Sequence, residues 1–243
     1  MTLAWIPYAR GRSAPPPADR PFVGRAAALL IPLTPILALG LVAYATVAPA
    51  KGQLPTTMQP VPVPVAVSVG PALPPQFSPP VQRWSAEIHQ WSAEYQLPAA
   101  WIATVMQIES CGNPRVHSRA GAAGLFQVMP FHFAPDEDPL DVSTNARRGL
   151  AYLARSFFLA NGDPAATFAG YNGGHGVIAR PPVLWPEETQ RYALWATGII
   201  DDVGAGLAPS PTLSRWLDAG GARLCRLAAE VLGLPTGDPA LSS

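Results

Sequence analysis

Residues Met106 to Pro130 read MQIESCGNPRVHSRAGAAGLFQVMP, and the reading of the whole chain turns on them. They begin inside an apolar run, reach one acid at Glu109, turn at Gly112-Asn113-Pro114, and close on the glycine-rich Gly124-Leu125-Phe126-Gln127. Trp101, Ile102, Val105, Met106 and Ile108 predict a helix that starts after Leu97-Pro98 and runs to Glu109. Glu109 then shares a stripe with Trp101 and Val105 and faces the core. An acid among apolar neighbours has its charged form disfavoured, and the partial negative charge of a helix C-terminus pushes the same way. A carboxyl held neutral in this manner is fit to donate a proton near neutral pH.

Helical periods continue on both sides. Trp84, Ile88, Trp91 and Tyr95 recur every three or four residues, the pattern of one face of an amphipathic helix. Downstream, residues 131–141 read as a loop carrying Asp136, Glu137, Asp138 and Asp141. A helix is expected from about Ser143 to Ala160, with Leu150, Leu153 and Phe157 inward and Asn161-Gly162 as its stop. Asp163-Pro164 caps a short helix through Phe168, which Tyr171-Asn172-Gly173-Gly174 ends. Pro186 opens another, with Tyr192, Trp195 and Ile199 on its apolar side. Leu213 to Leu232 holds a weaker pattern with Arg215, Arg223 and Arg226 outward, interrupted at Gly220-Gly221. No convincing run of strands appears, so the fold class is mainly α. The folded domain is expected over 81–205, with a tail over 206–243 that either packs on it or stays loose.

The order and spacing of the motifs carry a resemblance. Glu109-Ser110-Cys111-Gly112-Asn113-Pro114 and Ser118-Arg119-Ala120-Gly121-Ala122-Ala123-Gly124-Leu125-Phe126-Gln127 resemble the two central elements of the soluble lytic transglycosylase family. These enzymes have a goose-type-lysozyme-like catalytic domain and cut bacterial peptidoglycan. Ala169-Gly170-Tyr171-Asn172-Gly173-Gly174 and Glu188-Thr189-Gln190-Arg191-Tyr192 extend the likeness, although the family usually has alanine where Gly170 stands.

The resemblance implies a lysozyme-like transglycosylase fold and a single Glu, Glu109, serving first as acid and then as base. It implies Ser118 as a partner of the acid and the substrate, and Gly124, Leu125 and Gln127 in the wall against the sugar N-acetyl group. Tyr171, with Asn172 beside it, brings a hydroxyl close to the acid; Tyr192 lines the cleft, and Glu188 is mainly structural. The implied product is a 1,6-anhydro sugar made by cleaving the MurNAc-GlcNAc β-1,4 bond, whereas common hydrolytic routes need two carboxylates. The acids at 136, 137, 138 and 141 leave a hydrolytic base or a calcium cluster open beside the ordinary reading of solvated loop acids. A muramidase hydrolase of the same fold and a non-catalytic wall-binding module are therefore the alternatives. No cofactor is implied. His132 and His175 lack a paired ligand spacing, so no metal site is expected. Cys111 and Cys225 either pair after export or remain free thiols.

The remaining segments concern placement. Residues 1–25 form a basic leader with Arg10, Arg12, Arg20 and Arg25 against Asp19. Residues 26–48, AAALLIPLTPILALGLVAYATVA, carry no charge and are long enough for a membrane-spanning helix. They read as a signal anchor with a cytoplasmic N-terminus, or as a signal peptide cut near Ala43-Tyr44-Ala45. Residues 49–80 are a Pro-rich linker that reaches on the order of 100 Å if fully extended. An extracytoplasmic monomer acting on peptidoglycan, held to a membrane through 26–48 or secreted, is the expectation. The balance of 16 basic and 16 acidic residues gives no broad basic surface for nucleic acid.

Overall fold

The computed structural model describes residues 72–235. The expected leader, the segment over 26–48 and most of the Pro-rich linker lie outside the described residues. Among the described residues no helix is long and apolar enough to cross a membrane.

The elements are α1 (Pro79–Gln82), α2 (Ser85–Tyr95), α3 (Ala99–Glu109), α4 (Val142–Leu159), α5 (Pro164–Gly173), α6 (Glu187–Gly204), α7 (Pro211–Trp216) and α8 (Ala222–Leu232). The β pairing among the described residues consists of two isolated antiparallel bridges, His117 with Ala123 and Ala123 with Val128. The mainly α expectation therefore holds.

Short polar residues start several helices. Asp141 accepts from Thr144 N at 2.8 Å, Asp163 from Ala166 N at 2.7 Å and Ser210 from Leu213 N at 3.0 Å. Each satisfies one of the amide donors that a helix start leaves without a partner. Asn161 and Gly162 take positive φ after α4, ending it where the Asn-Gly pair predicts.

Helix α3 lies at the centre. Its Ile102, Ala103, Val105 and Met106 are fully buried, in one cluster with Ile88 of α2, Leu150 and Leu153 of α4, Phe168 of α5 and Ile199 of α6. Trp101 packs on Phe157 and Phe168, with ring centroids at 5.3 and 5.1 Å. The apolar stripe read from the sequence is thus the core, and Glu109 is carried at its end.

Both expected domain edges move outward. Leu73 and Phe77, assigned to the linker by their prolines, are buried in the same core as Val81, and Ser78 N donates to Gln107 Oε1 at 3.0 Å. Proline density marks extended backbone, but it says nothing about whether intervening apolar side chains find a core. The tail also belongs to the fold, since Leu213, Trp216, Cys225 and Ala228 join the cluster. Its single weak helix resolves into α7, a wide turn at Leu217–Gly221 and α8. Gly220 takes φ 127° in that turn, and a side chain at Gly221 would occupy the space of the Trp216 ring.

Helix α5 also runs further than expected, through Tyr171 and Asn172 to Gly173. A Cβ at Gly173 would come within 2.6 Å of Thr189 Oγ1, and one at Gly170 within 2.5 Å of Ile178 Cδ1. These glycines serve close packing inside a helix, and Ile178 fills the space that alanine at 170 would take.

Candidate active site

Glu109 is the last residue of α3 and is half-buried by accessible surface. Its carboxyl nevertheless sits deep enough among protein atoms for its pKa to be pushed up to about 8. Loss of water around the charged form is the main cause; the Tyr192 hydroxyl pulls the other way, and the Glu188 carboxylate adds to the rise. At neutral pH Glu109 keeps its proton while part of the side chain remains open to solvent. That is the state a general acid needs.

Two tyrosines flank it. Tyr171 donates from its hydroxyl to Phe126 O at 2.6 Å, and its pKa is raised by burial and by the nearby Glu109. The Tyr192 ring stacks with Tyr171 at 6.5 Å between centroids. The Tyr192 hydroxyl is buried without a partner of hydrogen-bond geometry, although Glu109 is near enough to feel it. Geometry decides between these two descriptions: the hydroxyl lies beside the carboxyl without a completed bond.

The turn after the acid is held from behind. Cys111 and Gly112 take φ 49° and 82°, and Trp84 Nε1 donates to Gly112 O at 2.9 Å. A Cβ at Gly112 would come within 2.6 Å of Pro80 O. Cys111 is joined by a disulfide to Cys225 of α8, 114 residues away, which answers the question the sequence left open. Gln107 Nε2 points at both sulfurs, at 3.1 and 3.3 Å.

The glycine-rich segment is knitted to itself and to α4. Ala123 and Val128 exchange backbone bonds at 3.1 and 3.0 Å, and Gly124 N donates to Val116 O at 2.9 Å. Buried Asn145 accepts from Phe126 N at 2.9 Å and donates to Ala123 O at 2.7 Å and Pro139 O at 2.9 Å. Ser110 donates from Oγ to Leu125 O at 2.7 Å, tying the end of α3 to this segment. Neither Asn145 nor Ser110 was singled out from the sequence. The available signal was a polar residue on the inward stripe of a helix, Asn145 standing four residues before Gly149.

Several expected site residues have structural duties here. Ser118 Oγ accepts from Ala122 N at 3.0 Å, and Asn172 Oδ1 accepts from Thr189 Oγ1 at 2.9 Å. Leu125 is fully buried, so its side chain is core and its backbone alone belongs to the wall. At Gly124 the missing Cβ makes room for the Asn145 side chain as well as for any ligand. Gln127, at φ 44°, spends its amide hydrogens on Val116 O and Gly124 O, both at 3.1 Å, which leaves Oε1 outside those bonds.

The acids of 136–141 are engaged as well. Glu137 binds Arg148 and Arg147, at 2.8 and 2.6 Å, and these guanidiniums with Ala134 N lower its pKa to about 2. Asp141 caps α4, and Asp138 accepts from Leu140 N at 2.8 Å. Among the described residues no group of three or more acids, histidines or cysteines is arranged to hold a metal ion. The acid brought near Glu109 is instead Glu188, exposed on the first turn of α6.

The chain is similar to known proteins over part of its length. Residues 87–182 match the family model described as Transglycosylase SLT domain. A transglycosylase of Enterobacteria phage PRD1 is 36% identical over 112 residues, 45% of this chain and 40% of the phage protein. The soluble lytic murein transglycosylase of Escherichia coli K12 is 28% identical over 101 residues, 37% of this chain and 16% of that protein. The chain thus spans less than half the length of either relative. Among solved structures, an inactive mutant of lytic transglycosylase Slt from Pseudomonas aeruginosa aligns with TM-score 0.40 and 18% identity, over 64% of this chain and 25% of that one. The similarity to the transglycosylase SLT family is thus carried by residues 87–182.

Proposed function

We propose that the protein is a lytic transglycosylase that cleaves the MurNAc-GlcNAc β-1,4 bond of peptidoglycan, with Glu109 as its acid and then its base. The observation that carries this reading is the placement of the Glu109 carboxyl at the end of a buried helix, beside Tyr171 and Tyr192, where burial pushes its pKa up to about 8. Glu109 gives its proton to the glycosidic oxygen as the bond from that oxygen to the anomeric carbon breaks. The 6-hydroxyl oxygen of the same muramic acid then bonds to the anomeric carbon, and its proton returns to Glu109. The product is the 1,6-anhydro sugar; no water is consumed and the acid is regenerated. Gln127 Oε1 and the backbone of 121–125 are suited to the N-acetyl group, and the Tyr192 hydroxyl has a bond left to give. Ser118 and Asn172 hold the walls.

One observation favours a second reading. Glu188 lies near enough to Glu109 to raise its pKa, and an exposed carboxylate there is chemically able to serve a water as base, as in a muramidase. Mass spectrometry of the fragments released from purified peptidoglycan separates the two. Anhydro ends, abolished by Glu109→Gln, are expected. Reducing ends lost in Glu188→Gln would overturn the transglycosylase in favour of the hydrolase.

The site of action we propose is outside the cytoplasm, with residues 26–48 as anchor or signal. The buried disulfide supports export, because cytoplasmic redox conditions keep thiols reduced. Fractionation of cells producing the full chain tests this: recovery in the cytosol with free thiols would refute it.

A further inference from the structure

Distant parts of the chain meet around the stretch that carries Glu109. Gln107, two residues before the acid, is fully buried and uses both ends of its amide. Oε1 accepts from Ser78 N at 3.0 Å, and Nε2 lies 3.1 Å from Cys111 Sγ and 3.3 Å from Cys225 Sγ. Ser78 Oγ lies 3.6 Å from Cys225 Sγ. Cys111 N, two residues after the acid, donates to Gln107 O at 3.2 Å. The start of α1, the end of α3, the turn that follows it and α8 therefore meet at one buried disulfide. None of these side chains has a part in the cleavage chemistry. Cys111 holds φ 49°, a conformation that a residue with a side chain keeps only where its surroundings impose it. Ser110 ties the turn to the glycine-rich segment and Trp84 ties it to the start of α2, through hydrogen bonds that water can replace. The link to α8 is covalent.

We propose that the Cys111–Cys225 disulfide, with Gln107 seated on it, is a positioning clamp that closes the end of α3 around Glu109 once the thiols are oxidised. This rests on Glu109 as the acid of the cleavage reaction and on export of the chain. Closure is thiol–disulfide exchange with a disulfide-bearing oxidant outside the cytoplasm. The two thiols become one S–S bond, the oxidant's S–S bond is reduced, and the two protons end on its sulfurs. Both cysteines are fully buried, so the bond is out of reach of small thiols while the domain stays folded. The clamp is therefore set once, during folding after export, and the chain cuts poorly until then. With the bond open the turn loosens and water reaches the carboxyl. The desolvation that raises the Glu109 pKa is then partly lost.

The test compares the full chain oxidised, the same chain unfolded and refolded in dithiothreitol, and Cys225→Ser. Release of fragments from soluble peptidoglycan strands is followed across pH, with folding checked by circular dichroism. Opening the bond is expected to lower kcat about tenfold, the cost of a small misplacement of a catalytic group, and to change KM little. The alkaline limb of the profile should move to lower pH in both open forms. Glu188, Tyr171 and Tyr192, the titratable groups that act on Glu109, are the same in all of them, so the move reports the turn. Oxidised glutathione should restore rate and limb to the reduced parent and leave Cys225→Ser as it is. Ser210→Ala, which loosens the start of α7 instead, should lose stability without moving the limb. Folded open forms with an unmoved limb would overturn the clamp while the cleavage reading stands. Open forms that do not fold would overturn it too, because the bond would then be a staple for the whole domain. A parent chain that releases no fragments in either redox state would overturn both.

Discussion

The side chain of Asn145 occupies the space that a Cβ on Gly124 would need, so the fourth residue of α4 and the glycine-rich segment are packed as one piece. Asn145 is fixed there by three hydrogen bonds and cannot step aside. Gly124, at φ 74°, is in addition a position that other residues adopt only with strain. The wall next to the candidate acid is therefore set in part by a buried side chain of α4.

Gly124→Ala is expected to cost about 2–4 kcal/mol, through the clash and the positive φ together. Asn145→Ala costs a similar amount, because it leaves Phe126 N unpaired and removes the bonds that the amide gives to Ala123 O and Pro139 O. In the Asn145→Ala background the clash disappears, so the glycine substitution should cost clearly less. A double-mutant cycle by denaturant unfolding measures this, and strict additivity would contradict the packing described.

The pKa of about 8 on Glu109 sets a pH limit. The acid must begin protonated, so turnover at low substrate should be sustained at neutral pH and fall tenfold per unit above about pH 8. Stability follows the same sign. The folded pKa is raised, so the proton-linked stability is full below about pH 4.5 and is lost as pH rises through about 8. Glu109→Gln removes the ionisation, and its melting temperature should gain on the parent across that window. The gain is on the order of 2–4 kcal/mol at pH 9, discounted for the solvent-facing part of the carboxyl. A pH-independent difference would refute the buried-acid description.

Glu188→Gln should lower the Glu109 pKa, since the carboxylate at 188 is one of the causes that raise it. The alkaline limb of the rate profile then moves to lower pH, with the anhydro product unchanged. Glu137→Gln serves as the contrast. Its partners are Arg147 and Arg148, so product chemistry and the position of that limb should both stay where they are.

Cys225→Ala opens a link spanning 114 residues of sequence and frees the turn that begins two residues after Glu109. The expected loss is about 2–5 kcal/mol of unfolding free energy, a usual cost for a native disulfide. Reductant should destabilise the parent chain during slow unfolding and leave Cys225→Ala unaffected. An equal response from both would show that the disulfide carries no stability.

Much of this protein is set by local chemistry, and that part was legible in the sequence. The helices α2, α3, α4 and α6 follow from apolar period, and the start of α5 from the Asp163 cap, because these act within one or two turns of chain. The burial of Glu109 at the end of an apolar stripe was legible for the same reason. What tertiary structure alone decided involves partners far apart. Tyr171 meets Phe126 across 45 residues and Gln107 meets Cys225 across 118, distances over which periodicity carries no information. Pro74, Pro75, Pro79 and Pro80 read as linker because proline favours extended backbone, yet Leu73 and Phe77 are buried in the core and Pro79 and Pro80 open α1. The acids of 136–141 and Glu188 look alike in sequence. Only the fold ties Glu137 to two arginines and brings Glu188 to Glu109, since charge pairing depends on separation in space.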